Sequence, residues 1–375
     1  MLELKEILNE FHEIASNPKA QLKKYLVEGK KVIACAPVYT PEEIVHSMGL
    51  VPFGTWGADM ELKDSKSYFP AFICSITQSI LELGINKEYD GISGIIIPNL
   101  CDSLKSLGQN WKYGVPSIPF IPINYPQNRK IEAGIKFTMA SYKEVIKELE
   151  EATGQKFDDK SLSHSCEIYN KHNILMRKTS EILVDYPYIT AAQRAEIFKS
   201  AYFMLKEEHI SLLEKLISKL EEMPKEENNK IKIITSGILA DNPNLLSIID
   251  ENNIQIVGDD IAHESRQYRV DVELSDTTTA LEALANKFAQ MDYCSVLYDP
   301  NKKRADLIVD MAKDKEAEAV LMVMTKFCDP EEFDYVIIKK ACDTASIPCI
   351  QIEVDRQMLN YEQAKTMIQT FVENI

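Results

Sequence analysis

The sequence has no C-x-x-C pair, although it contains eight cysteines in 375 residues. This absence argues against zinc ribbons and thioredoxin-like sites, which depend on closely spaced cysteines. Histidines number only six and are scattered, so a histidine-rich metal site is not expected. Neither a Walker-type phosphate loop nor a G-x-G-x-x-G turn occurs, so no sequence signal indicates an ATP site or an ordinary dinucleotide site.

Long apolar runs are also missing, and none approaches the roughly 20 residues that span a bilayer. The segment Met1 to Phe11 has an amphipathic, acidic helical pattern without the basic start and apolar core of a secretory signal. We therefore predict a cytoplasmic protein that is not associated with a membrane. Disulfides are not expected in that reducing compartment, so metal-binding or catalytic roles for the cysteines gain weight.

The chain has fewer basic than acidic residues, 42 against 58, and its net charge is −16. Acidity of this size argues against nucleic acid and against anionic membrane surfaces as partners. A chain of 375 residues with 45% hydrophobic residues is long enough for two domains with a substantial core.

Strand and helix patterns alternate at both ends of the chain and predict an α/β fold. We expect two doubly wound, Rossmann-like lobes with parallel sheets, residues 1–130 and 226–375, joined by a helical segment, residues 131–225. The pattern predicts one helix over residues 2–28. In the middle segment it predicts three helices, over 131–153, 159–184 and 190–222.

The two α/β parts share landmarks that favour an internal repeat. Each contains a strand followed by a Cys-Asp pair and a helix, at Cys101 and at Cys328, and each then has a Ser-Ile-Pro sequence. The alternative is that any doubly wound fold repeats strand–helix–strand units without duplication.

Three cysteines stand where open α/β sheets bind ligands. Cys101 and Cys328 each follow an apolar run and precede a helical pattern, which predicts a thiol at the carboxyl end of a buried strand. Cys74 lies in a comparable position, near the start of its own helix. A helix N-terminus favours thiolate over thiol. The remaining cysteines fit inert core positions: Cys35, Cys166, Cys294, Cys342 and Cys349.

Other residues near these turns carry weaker signals. Asp102 and Asp329 are predicted to cap the helices that follow the cysteines. His263, Arg266 and Arg269 either line the cleft or belong to a solvated loop between domains. Lys326 either contacts a bound group or lies in solvent, and the two tryptophans, Trp56 and Trp111, are predicted to serve packing.

Thiolates select soft metals, above all iron–sulfur clusters and zinc. Four cysteines ordinarily close a 4Fe–4S cage. Three would leave one iron with a ligand that the protein does not supply, as in the open position of catalytic zinc sites.

These residues carry a resemblance to a known family. The stretches Phe69 to Cys74, Ile97 to Leu104, Lys326 to Pro330 and Ile347 to Gln357 resemble those of the 2-hydroxyacyl-CoA dehydratase subunits, which are similar to subunits of benzoyl-CoA reductase. The resemblance covers essentially the whole chain and is strongest to the smaller, β-type subunit.

The resemblance implies a 4Fe–4S cluster on Cys74, Cys101 and Cys328, with one non-protein ligand. It implies a lyase subunit that pairs with a larger α subunit to convert an (R)-2-hydroxyacyl-CoA, here (R)-2-hydroxyisocaproyl-CoA, to the (E)-2-enoyl-CoA and water, in the fermentation of leucine by anaerobes. A ketyl radical would form after a separate ATP-dependent iron–sulfur activator delivers one electron. The acyl-CoA would bind mainly at the larger subunit, and this chain's cluster would relay or store the electron.

Two alternatives remain at this level. One is a subunit of a benzoyl-CoA-reductase-like or double-cubane-type reductase, which would reduce its substrate instead of dehydrating it. The other is a two-lobed binding protein that closes on a small ligand, although such a protein has no need of three cysteines at strand ends.

Overall fold

Two four-stranded parallel sheets form the framework of the protein, as seen in a computed structural model that describes residues 2–375. The strand order is β2-β1-β3-β4 in the first sheet and β6-β5-β7-β8 in the second. Helices flank both sheets, which confirms the predicted α/β class with two Rossmann-like lobes. No helix within residues 2–375 is long and apolar enough to cross a membrane.

The N-terminal part contains the first sheet and six helices. Its elements are α1 (Leu2–Ser16), α2 (Pro18–Val27), β1 (Val32–Cys35), α3 (Glu42–Ser47), β2 (Val51–Gly54), α4 (Ser75–Ile85), β3 (Gly94–Pro98), α5 (Asp102–Gly114), β4 (Phe120–Ile123) and α6 (Glu132–Thr153). Strands β1 and β3 are buried along their whole length, as is typical of a parallel sheet covered on both faces.

Three further helices lead to the second sheet. They are α7 (Asp159–Ile182), α8 (Ala191–Ser200) and α9 (Lys206–Glu221). The second sheet and its helices comprise β5 (Ile231–Gly237), α10 (Pro243–Glu251), β6 (Ile254–Ile261), α11 (Ser265–Tyr268), α12 (Ala280–Gln290), α13 (Arg304–Asp314), β7 (Ala319–Thr325), α14 (Asp329–Thr344), β8 (Cys349–Val354) and α15 (Glu362–Val372).

Two of the helix predictions were wrong, because the structure divides each predicted helix into two. The predicted helix 2–28 divides at Asn17, whose side chain accepts the Ala20 amide at the start of α2, with Pro18 in the first turn. The predicted helix 190–222 divides after Ser200. There the carbonyl of Tyr202 accepts the amide of Gly54, so the break docks on the edge strand β2. A backbone contact outside the helix therefore overrides the helical pattern.

The two sheets have the same order and the same parallel pairing, element for element. Each first strand pairs with the second on one side and with the third on the other. This agreement supports the repeat that the sequence indicated. The boundaries at residues 130 and 225 stay a prediction.

Candidate functional site

Cys74, Cys101 and Cys328 share one structural position: each is the residue that immediately precedes a helix. Cys74 is the N-cap of α4, Cys101 of α5 and Cys328 of α14. Helices α5 and α14 follow the third strand of their respective sheets, so Cys101 and Cys328 occupy equivalent places in the two lobes. At each of these helix ends, the positive pole of the helix dipole lies beside a sulfur atom.

The turns that carry Cys101 and Cys328 lie at the topological switch point of the first and the second sheet, respectively. In the first sheet the switch point falls between β1 and β3, and in the second between β5 and β7. Open α/β sheets bind their ligands in the crevice outside the carboxyl ends of such strands. Here the two crevices open into the same space.

That space is a cavity of about 640 Å³ between the two lobes. All three cysteines line it, together with residues that follow β1, β3, β5 and β7. Its wall includes Pro37, Val38, Ile76, Thr77, Leu100, Ser103, Lys105, Gln127, Ile238, Ser295, Leu297, Tyr298, Asp299, Lys302, Phe327, Pro330 and Phe333. The structure therefore brings together the three cysteines that the sequence singled out.

Two backbone features shape this wall. Gly237 ends β5 with a φ of +151°, and a Cβ there would overlap the carbonyl oxygen of Val323 on β7. Glycine is thus required for the chain to turn toward Ile238 in the cavity wall. Phe327 has a φ of +60°, an unusual value for a non-glycine residue, directly before Cys328.

Burial makes the free thiols weak acids. It raises the pKa of Cys74 to about 12, while the amide of Ile76 acts in the opposite direction. Burial also raises the pKa of Cys101 and of Cys328. The amides at the helix N-termini lower the thiol pKa, in the direction expected, but in the free protein desolvation outweighs them. The charges of Cys74 and Cys101 also raise the pKa of Cys328, in keeping with their convergence.

A buried network of charged side chains supports the turn that carries Cys328. Glu331, in the first turn of α14, is fully buried and accepts hydrogen bonds from Ser295 Oγ at 2.6 Å, Arg304 Nη2 at 2.8 Å and Arg266 Nη1 at 3.1 Å. Asp260, at the end of β6, accepts from the same two arginines. Each buried charge thus has oppositely charged partners, which offset the free-energy cost of removing it from water.

Arg356 joins the two lobes beside Cys74. Its guanidinium donates to Asp241 at 2.9 Å and to Asp59 of the first lobe at 3.1 Å. Its amide donates at 3.0 Å to Ser75 Oγ, next to Cys74. Burial works to raise the pKa of Asp241, but the charges of Arg356 and Lys199 outweigh it and hold that pKa well below its usual value.

Several secondary predictions need correction. Asp102 and Asp329 do not cap their helices: they are the first helical residues, and the cysteines before them hold the N-cap position. Asp102 is 93% exposed and pairs with Lys105 at 3.2 Å. Thr40, which precedes α3, does not cap that helix either, since its hydroxyl donates to Ala36 O and Pro41 occupies the N-cap position.

The loop after β6 is neither solvated nor part of the cysteine cavity. His263 and Arg266 are buried, and Arg269 pairs with Asp260 at 2.9 Å. His263 lines a second, smaller cavity of about 80 Å³ that contains no cysteine. Lys326 is 42% exposed and lies 3.8 Å from Glu353, on the solvent side.

Both tryptophans are buried, as predicted. The five other cysteines lie outside the cavity. Within residues 2–375, no group of three or more histidine, cysteine, aspartate or glutamate side chains is close enough to hold a single metal ion.

The sequence patterns did not single out three residues that support the site, namely Glu331, Arg304 and Arg356. The acidic first turn of α14, at Asp329, Glu331 and Glu332, was a visible signal. Nothing in the sequence indicated that Glu331 would be buried between two arginines.

The family model for the 2-hydroxyglutaryl-CoA dehydratase D-component matches residues 37–375. The chain belongs to the 2-hydroxyacyl-CoA dehydratase family. It is 48% identical to the (R)-phenyllactyl-CoA dehydratase β subunit of Clostridium sporogenes, over 99% of both chains. It is 38% identical to the lactoyl-CoA dehydratase subunit β of Anaerotignum propionicum, over the full length of both chains.

A third dehydratase relative aligns over a similar length. The (R)-2-hydroxyglutaryl-CoA dehydratase subunit β of Acidaminococcus fermentans is 36% identical over 98% of this chain and 99% of its own. Family membership makes the protein an enzyme component of the hydro-lyase class that acts on 2-hydroxyacyl-CoA thioesters. The predicted family and enzyme class are thus confirmed.

Proposed function

We propose that this chain is the β-type subunit of a heterodimeric (R)-2-hydroxyacyl-CoA dehydratase and that Cys74, Cys101 and Cys328 hold a 4Fe–4S cluster. The observation that carries the proposal is the convergence of these three helix-capping cysteines on one interlobe cavity. The end-to-end alignment with dehydratase β subunits supports the same role.

The residues present fit such a cluster. Thiolates are its usual protein ligands, and three of them line a space larger than one ion needs. Helix N-termini offset the negative charge that three thiolates bring together. When bound, a 4Fe–4S cluster supplies one-electron redox chemistry.

The protein's own contribution is to place and shield these ligands. Phe327, Phe333 and Leu297 give the cavity apolar walls, which limit water around the sulfur atoms. Glu331 and its arginines hold the first turn of α14, and with it Cys328. Arg356 binds the first lobe at Ser75 and so helps to fix the position of the neighbouring Cys74.

We infer that this site relays or stores an electron and that the acyl-CoA binds mainly at a larger α subunit. The electron would come from a separate ATP-dependent iron–sulfur activator, since the sequence contains no Walker-type phosphate loop. One-electron reduction of the thioester to a ketyl radical would then allow hydroxide to leave, and loss of the β-proton with return of the electron would give the enoyl-CoA. Such low-potential chemistry suits the reducing cytoplasm that the sequence predicted.

Exposed apolar side chains support a partner at the mouth of the cavity. Phe72, two residues before Cys74, is 69% exposed, and Phe333 on α14 is 75% exposed. Val336, one turn further along α14, is 68% exposed. Large apolar groups left in water near a functional site mark protein interfaces.

The proposed substrate is (R)-2-hydroxyisocaproyl-CoA. Its branched apolar side chain is nearer in character to a phenyllactyl group than to a lactoyl or hydroxyglutaryl group. The order of identity among the relatives, 48%, 38% and 36%, follows that chemistry.

The test is anaerobic co-purification of this chain with its α subunit and activator. The complex would be assayed for enoyl-CoA formation with 2-hydroxyisocaproyl-, phenyllactyl- and lactoyl-CoA, ATP and a strong reductant. We expect ATP-dependent turnover, fastest with hydroxyisocaproyl-CoA, and about four irons per β chain. Preference for another thioester would overturn the substrate, and a β chain free of iron and sulfide would overturn the cluster.

A further inference from the structure

Two cysteines outside the cavity lie on either side of one tight turn in the second lobe. Cys342 belongs to the last turn of α14, and Cys349 begins β8, seven positions later. The amide of Ile347 donates to the carbonyl oxygen of Cys342 at 2.9 Å, and the amide of Ser346 donates to that of Asp343 at 3.1 Å. With Ser346 at a φ of +56°, these bonds form the Schellman arrangement that closes the end of a helix. The turn therefore brings the start of β8 back toward α14.

The alternation of side chains along β8 directs Cys349 toward that helix. Successive side chains of a strand point to opposite faces of its sheet. Ile350, Ile352 and Val354 share one face and pack in the same core as residues of α15. Cys349 packs in the core on the other face, which contains Cys342. The strand and the helix thus place the two thiols on the same side of the sheet.

The two thiols are in direct contact. Cys349 donates a hydrogen bond to the sulfur of Cys342, which lowers the pKa of Cys342 and raises that of Cys349. Lys339 lies one turn before Cys342 on α14, and its positive charge acts to lower the pKa of both thiols. Reactive cysteines occur in such surroundings, where a cation and a hydrogen bond stabilise the thiolate.

The two sulfur atoms differ in their access to solvent. Cys342 is fully buried, whereas Cys349 is only partly buried at the start of its strand. A reagent from solvent therefore meets Cys349 first, and Cys342 lies behind it in the core. Once Cys349 has reacted, the next step is intramolecular, between two groups that the fold already holds together.

We propose that Cys342 and Cys349 form a redox-active dithiol that a low-molecular-weight disulfide oxidises to an intramolecular disulfide. The deprotonated sulfur of Cys349 attacks one sulfur of the reagent, whose own S–S bond breaks, and one thiol leaves with the proton. Cys342 then attacks the sulfur of Cys349, the mixed disulfide breaks, and a second thiol leaves with the second proton. The two protein thiols lose two electrons, and the reagent gains them.

This site is separate from the proposed cluster, because neither cysteine lines the interlobe cavity. It lies at the opposite end of α14 from Cys328, so the disulfide would tie the helix to β8 and leave the cavity thiols free. The inference assigns a chemistry to two cysteines that the sequence placed in an inert core. It requires neither iron nor substrate, so its failure and that of the proposed function are distinguishable.

Peptide mass spectrometry tests the proposal. Trypsin releases both cysteines in one peptide, Ala341 to Arg356, which contains no other cysteine. The complex, purified anaerobically and freed of reductant, would be treated with the disulfide of mercaptoethanol, denatured in iodoacetamide and digested. We expect this peptide to lose two hydrogens, to carry no carbamidomethyl group and to regain both thiols after reduction. Cys166, which is buried, should stay a free thiol during the treatment and be alkylated after denaturation.

Single substitutions separate the two steps. In Cys342→Ser, Cys349 should stop as the mixed disulfide with mercaptoethanol, since no second thiol displaces it. In Cys349→Ser, Cys342 should remain a free thiol, because it is buried. Cys166→Ser is the matched control and should close the Cys342–Cys349 disulfide to the wild-type extent.

Two free thiols in the treated wild-type peptide would overturn the proposal, as would a mixed disulfide on Cys349 that does not close. A mixed disulfide on Cys342 in the Cys349→Ser protein would overturn the assignment of Cys349 as the attacking thiol. The wild-type measurement needs no substitution, so the proposal can be refuted even if a variant fails to fold.

Discussion

Cys101 and Cys328 lie 227 positions apart in the chain, yet each is the N-cap of the helix that follows the third strand of its sheet. Both line the same interlobe cavity. The two halves of the fold thus present the same local structure to one site from opposite sides. The site therefore exists only when the lobes are together.

Removal of any one of the three cavity thiols should abolish the cluster. Cys74→Ser, Cys101→Ser and Cys328→Ser are each expected to lower iron from about four per chain to nearly none, since the cage has no spare protein ligand. The measurement is iron and acid-labile sulfide after anaerobic purification.

Cys349→Ser is the matched control, because Cys349 is partly buried like Cys101 but lies outside the cavity. It should retain the wild-type iron content. Full iron in the Cys101→Ser protein would contradict the ligand assignment.

Glu331→Ala should strongly destabilise the protein. The substitution leaves Arg266 and Arg304 buried without the carboxylate that both contact. Removing one partner of a buried charge pair costs about 3–5 kcal/mol of unfolding free energy. Urea unfolding, followed by circular dichroism, measures the loss.

The exposed neighbour provides the comparison. Glu332→Ala changes the next residue of the same helix and should alter the unfolding free energy by less than about 0.5 kcal/mol. Equal unfolding midpoints for the Glu331 and Glu332 variants would show that the buried network is not a source of stability.

Arg356→Met should loosen the contact between the lobes. The change leaves Asp241 buried with Lys199 as its remaining charged partner, at 2.9 Å. Asp59 of the first lobe loses its ion pair and keeps only the hydrogen bond from Asn242 across the lobes. We expect a loss of about 3–5 kcal/mol and faster proteolysis between the lobes.

Lys365→Met removes an exposed ion pair with Glu251 and serves as the control. Surface pairs of this kind contribute about 0–1 kcal/mol. If the two variants resist protease equally, Arg356 does not join the lobes.

Acid should destabilise the protein from pH 6.5 downward because of buried histidines. Burial lowers the pKa of His209 to about 3, with the charge of Lys206 adding to the effect. The unfolded chain takes up this proton below about pH 6.5, whereas the folded protein does not until about pH 3. The contribution of His209 to the free energy of unfolding is therefore fully present above pH 6.5. It is lost as the pH falls toward 3, by about 1.4 kcal/mol per pH unit.

His209→Gln removes the titrating group and keeps a hydrogen-bonding side chain near Ser200 and His172, which lie 3.0 and 2.9 Å from the His209 ring. The fall in unfolding free energy from pH 6.5 to 4 should become shallower in this variant. His164→Gln, at a 73% exposed position, should leave the slope unchanged. A slope that His209→Gln does not alter would refute the assignment.

The sequence by itself determined the α/β class, the two sheets and the three cysteines that line one cavity. Apolar strand runs, helix signals and the repeated Cys-Asp turn are local features, and local features are written directly in residue order. Those patterns left open whether the cysteines bind an iron–sulfur cluster or zinc, and the family resemblance favoured the cluster.

Only the tertiary structure decided what surrounds those cysteines. The break before Tyr202 depends on a hydrogen bond to Gly54 at a sheet edge. The thiol pKa depends on how far burial outweighs the helix dipole, a balance that a sequence does not contain. The contacts of Glu331 and Arg356 join residues distant in the chain. Such relationships arise from packing, which sequence order alone does not encode.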